Sequence, residues 1–121
     1  MEQLPPEVQE KAQQLQEIQQ QAQSLAQQKQ QLEMDKQETK RALEELGDVE
    51  EDSSIYKSLG GVMVETDLED AEEELQSKQE TLSLRLKQVE NQEEKAKKKL
   101  QELREEIQGS LQGQGLAGGA V

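Results

Sequence analysis

Cysteine, histidine, phenylalanine and tryptophan are all missing from this 121-residue chain, and Tyr56 is its one aromatic residue. Without cysteine there is no disulfide framework and no thiolate metal site. Without histidine the commonest general base and metal ligand is gone. The shortage of aromatics bears on the fold, because aromatic side chains normally supply much of the area buried in a compact core. No Gly-rich phosphate loop is present, so any ATP-driven step would belong to a partner. Asp and Glu are plentiful, but none falls in a predicted concave, dry setting that would perturb its pKa. An enzyme is therefore not expected, and neither is a cofactor or a metal. The amino terminus has no basic and apolar signal-peptide regions, and no stretch approaches a membrane span. A soluble, cytoplasmic protein with no membrane contact is the expectation.

Basic charge is also scarce: 14 Lys and Arg stand against 27 Asp and Glu, for a net charge of −13. Residues 1–46 carry −4, 47–67 carry −5 and 68–112 carry −4, so the middle is the most acidic per residue. Phosphate recognition needs a basic patch, so nucleic acid is excluded as an expected partner. The one basic cluster, Lys95 with Lys97, Lys98 and Lys99, sits among Glu93, Glu94, Glu102, Glu105 and Glu106. It reads as a salt-bridged helix surface. Lys outnumbers Arg, which gives little support to adaptation to a salty cytoplasm.

What the chain does have is Ala, Glu, Lys, Leu, Gln and Arg in a heptad pattern, the composition of a coiled coil. The first seam runs Leu4, Val8, Lys11, Leu15, Ile18, Ala22, Leu25, Lys29, Leu32, Lys36, Thr39, Leu43, Leu46. The second runs Leu68, Glu72, Leu75, Gln79, Leu82, Leu86, Val89, Glu93, Ala96, Leu100, Leu103, Ile107, Ser110. Steps alternating three and four residues keep one side facing a partner helix. Low hydrophobicity with high net charge is also the signature of disorder. Disordered polar tracts, however, do not sustain such a seam for forty residues. Lys11, Lys29, Lys36, Thr39, Gln79 and Glu93 are flaws in it, read as polar stems lying along the seam with their heads in water. Loosening of the coil by these flaws is the weaker reading.

The fold class that follows is mostly α: a long antiparallel two-helix coiled coil joined by a single β-hairpin. The first helix is expected over 5–46, with Pro5 and Pro6 in the first turn, where a missing N–H costs nothing. Gly47 fits the residue just past its end, in a left-handed conformation. The second is expected over 67–108, opened by a capping box on Thr66-Asp-Leu-Glu69. Each helix is about 60 Å long at 1.5 Å per residue. Residues 113–121, with Gly113, Gly115, Gly118 and Gly119, read as a flexible tail. Equal lengths permit an intramolecular match in which Leu46 lies beside Leu68 and Leu4 beside Ser110; an intermolecular coil is the alternative.

Between the helices, residues 54–59 and 62–65 are two β-favouring runs separated by Gly60-Gly61, which predicts a tight hairpin over 54–65. Pairing across that turn opposes Leu59 to Val62, Lys57 to Val64 and Ile55 to Thr66. One face then holds Ile55, Leu59, Val62 and Val64, and the other Tyr56 and Met63. A lone hairpin is marginal in water and its edges invite pairing with other chains. It is therefore expected to be an assembly element that closes an intersubunit sheet or barrel, rather than to pack only on Leu46 and Leu68.

This plan of coil, hairpin and coil, centred on Ile55-Tyr56-Lys57-Ser58-Leu59-Gly60-Gly61-Val62-Met63-Val64, resembles the β-type subunits of the prefoldin family, archaeal in type. The opening Leu4-Pro5-Pro6 and the run Ala42-Leu43-Glu44-Glu45-Leu46 resemble them too, and the likeness covers the chain except the Gly-rich tail. About twenty residues between the helices leave room for one hairpin, as in the β type, where the α type carries two. The resemblance implies an ATP-independent chaperone that holds non-native polypeptides and transfers them to a group II chaperonin. Two α-type and four β-type subunits would form a hexamer with a double β-barrel body and six coiled-coil arms. Ile55, Tyr56, Leu59, Gly60, Gly61, Val62, Met63 and Val64 would then belong to the body. Leu4, Val8, Ile107 and Leu111, at the terminal ends of the arm, would meet the client. A structural or tethering coiled coil that oligomerises through its hairpin is the competing function.

Overall fold

In the computed structural model the described residues are 4–119 for the backbone and 4–112 for side chains. The elements run α1 (Pro6–Gly47), β1 (Ile55–Leu59), β2 (Val62–Thr66) and α2 (Leu68–Gly119). They group into two compact units, residues 1–28 with 89–121 and residues 29–88.

In the first unit the opening half of α1 pairs with the closing half of α2. Val8 and Leu103 are its most deeply buried side chains, at 2 % and 1 % exposure, and Leu25, Val89 and Ala96 are buried with them. The pairing is antiparallel and within the chain. Lys11 Nζ lies 3.8 Å from Glu106 Oε2, within one turn of Leu103, the residue that the matched register places opposite it. Lys11 also reaches Glu7 Oε1 at 3.4 Å. Its stem is half-buried in the seam while its ammonium is shared between two surface carboxylates, which is how a lysine occupies a core-type position.

In the second unit the closing half of α1, the hairpin and the opening half of α2 pack together. Leu82, Ala71 and Thr39 are buried. Thr39, 3 % exposed, keeps its hydroxyl satisfied by donating to the Asp35 carbonyl at 2.8 Å, the i−4 bond open to Ser and Thr in a helix. Across both units every seam position is buried or half-buried except Leu4, at 48 % exposure.

Helix ends depart from expectation in three ways. First, Gly47 is the last residue of α1, not a left-handed residue beyond it, because among the described glycines only Gly60 and Gly61 have positive φ. Asp48 N–H to Glu45 C=O at 3.1 Å and Val49 N–H to Leu46 C=O at 3.4 Å close the helix instead. Such i→i+3 bonds satisfy terminal carbonyls without a left-handed residue. Second, the cap of α2 is Asp67 rather than Thr66: Asp70 N–H donates to Asp67 Oδ1 at 2.8 Å. Thr66 is taken up by β2, paired with Ile55, so its backbone is committed to the strand and the next acceptor caps the helix. Third, α2 continues through Gly109 to Gly119, past the expected end at residue 108. An interior glycine costs about 1 kcal/mol relative to alanine, but without a competing left-handed cap it does not stop propagation. Residues 113–119, expected as tail, thus have helical backbone, and residues 120–121 lie outside the described part.

The cap is testable. Asp67→Ala is expected to lower stability by about 1 kcal/mol, read as a shifted urea midpoint of the full chain at fixed concentration, with Asp67→Asn restoring most of it. Equal midpoints for Asp67→Ala and the parent would show that the Asp67–Asp70 bond contributes nothing.

Candidate functional site

The hairpin turns on Gly60 (φ 53) and Gly61 (φ 86), a backbone conformation that costs side-chain-bearing residues about 1–2 kcal/mol each. The register agrees with the sequence reading: Ile55 opposes Thr66, Tyr56 Glu65, Lys57 Val64, Ser58 Met63 and Leu59 Val62. Paired residues project to the same side of an antiparallel ribbon, so Ile55, Leu59, Val62 and Val64 share one face and Tyr56 and Met63 the other.

Cover on the first face falls away toward the turn. At the base, Ile55 and Thr66 are half-buried in a cleft lined also by Ala42, Leu46, Ala71 and Leu75. One rung on, Lys57 Nζ bonds Glu74 Oε1 on α2 at 3.0 Å. Val64, paired with Lys57 on that rung, is still 38 % exposed, and beyond the rung nothing among the described residues covers the sheet: Leu59 is 55 % exposed and Val62 61 %. On the opposite face Tyr56 is 55 % and Met63 64 % exposed. Packing on the helices therefore accounts for the base of the hairpin alone. Five of its large apolar side chains stay open, on a two-stranded sheet whose two outer edges have no strand beside them among the described residues. They form one cluster, unlike the scattered single apolar residues common on protein surfaces.

The other candidate residues lie in the first unit. Leu4 is 48 % and Leu111 41 % exposed, and Ile107 is half-buried. Leu15, Arg104, Ile107, Gln108, Leu111 and Gln112 line a shallow groove there. Val8, expected to meet a client, is withdrawn: at 2 % exposure it is core, because its seam position turns it onto α2. The Lys57–Glu74 bond was missed by sequence reading, since a contact across 17 residues leaves no periodic signal. Among the described residues no group of three or more acidic side chains is placed to hold a metal. Among the same residues no helix is long and apolar enough to cross a membrane.

Comparison with known proteins agrees with this layout. A family model described as prefoldin subunit matches residues 9–114. The chain is 46 % identical to the prefoldin subunit beta of Thermococcus onnurineus, over 92 % of this chain and 96 % of that one. It is 42 % identical to the prefoldin subunit beta of Methanosarcina barkeri, over 90 % and 93 % respectively. The crystal structure of the prefoldin beta subunit from Thermococcus strain KS-1 superposes with a TM-score of 0.81 at 41 % identity, covering 92 % of this chain and 97 % of that one. With one hairpin between two long helices, and with this identity along nearly its whole length, the chain belongs to the prefoldin family of chaperone subunits, on the side of the β type.

Proposed function

We propose that this chain works in the cytoplasm as an ATP-independent holdase subunit, in a hexamer of two α-type and four β-type prefoldin subunits, passing non-native polypeptides to a group II chaperonin. The observation that carries this reading is the open apolar hairpin. Leu59, Val62, Val64, Tyr56 and Met63 are exposed on a sheet too small to be stable alone. Hairpins from several subunits pairing edge to edge into an intersubunit β-barrel would bury those side chains and supply the missing strand partners. Client capture is assigned to Leu4, Ile107 and Leu111, in the other compact unit, where apolar surface is accessible in small patches. Weak contacts of this size become effective when several subunits grip one chain, because the later contacts are intramolecular.

Mixing the chain with an α-type prefoldin subunit tests both halves. Light scattering should give a mass near that of two α plus four β subunits. The complex should suppress aggregation of a chemically unfolded protein without nucleotide and release it to a group II chaperonin. A stable complex of this chain alone, with no suppression of aggregation, would instead favour a tethering coiled coil.

A further inference from the structure

The ion pair between Lys57 and Glu74 joins the free half of the hairpin to a helix. We infer that it is an orientation latch: it holds the hairpin at one angle to α2, so that the open apolar rungs are presented in a single geometry for docking. This rests on the assembly reading and deepens it by naming the residues that pose the interface.

The argument is one of placement. Lys57 is the only charged residue of β1, and it sits one rung beyond Ile55 on the same face. Below it the hairpin is held by apolar contact in the cleft of Ala42, Leu46, Ala71 and Leu75. Above it lie the Leu59–Val62 pair and the turn, with no cover. The bond to Glu74 spans 17 residues of sequence at 3.0 Å. It therefore acts at the boundary between the anchored and the free part, where a small tilt moves the tip most. The side chains are 36 % and 62 % exposed. Such a pair adds little stability, yet it selects one tilt from those that the apolar base alone would allow. Ordering the hairpin before docking lowers the entropy lost on association. Glu45 is the other carboxylate lining the cleft and has no bond to Lys57 among those observed.

Because Tyr56 is the chain's only aromatic and lies beside Lys57, its fluorescence anisotropy reports the hairpin directly, with no added label. In the free full-length chain, Glu74→Gln and Lys57→Met are expected to lower Tyr56 anisotropy with helix content unchanged by circular dichroism. Added salt should lower it in the parent but not in these variants. The charge-swapped double variant, Lys57→Glu with Glu74→Lys, should recover the parent value, and Glu45→Gln should leave it unaltered. Affinity for the α-type subunit should fall about two- to fivefold in the single variants, the range open to an exposed pair, and recover in the swap. Unchanged Tyr56 anisotropy in Glu74→Gln overturns the latch whatever the assembly does. A parent chain that joins no α-type subunit sinks the assembly reading, and with it the latch's purpose, even where the anisotropy responds.

Discussion

Val62→Asp should abolish co-assembly with an α-type subunit and leave the free chain folded. In the free chain Val62 is 61 % exposed, so an aspartate there keeps most of its water and costs little. Val62 ends the rung beside Leu59 and shares its face with Val64, so any sheet or barrel that covers this face takes position 62 inside. A carboxylate buried without a partner costs about 3–5 kcal/mol, which is a loss of affinity of about a hundredfold or more. Light scattering of the mixture should then show separate components, while circular dichroism of the variant alone matches the parent. Met63→Asp, on the opposite face with Tyr56, determines whether that face is covered as well. Full-affinity assembly of Val62→Asp would place the interface elsewhere and leave the open rungs without a role.

The outcome for each element follows from how local its cause is. Seam positions were legible because heptad spacing is a property of the helix itself. Even Lys11, Lys36, Thr39 and Gln79 proved buried or half-buried as the spacing required. The hairpin register was legible for a similar reason, since two glycines bound to a two-residue turn fix every rung above it. Features decided by competition between neighbours were not. Thr66 satisfies the rule for a cap, but it also completes β2, and the strand won. Gly47 and Gly109 permit a helix to end without requiring it. Val8 has the composition expected of a client contact and the periodicity of core, and burial follows periodicity. The Lys57–Glu74 bond depends on how the hairpin leaves the helix pair, a tertiary property with no repeat to announce it.

Leucines of one helix should differ sharply in what they contribute, and α2 provides the comparison. Leu103 lies on the seam and is 1 % exposed, whereas Leu84 lies off it and is 63 % exposed. Leu103→Ala deletes methyl groups packed against α1 and leaves a cavity that two helices can only partly close, which costs about 2–5 kcal/mol. Leu84→Ala deletes atoms already in water and replaces leucine with the strongest helix former, so its effect should stay within about 0.5 kcal/mol. The measurement is urea unfolding of the full chain at one fixed concentration, since assembly shifts apparent stability by mass action. Amide hydrogen exchange localises the damage: Leu103→Ala should lose protection in residues 4–28 and 89–112, the compact unit that contains it, more than in the hairpin unit. Equal shifts for the two variants would mean that the seam supplies no more burial than the outer face, and that the heptad pattern is not what holds this pair of helices together.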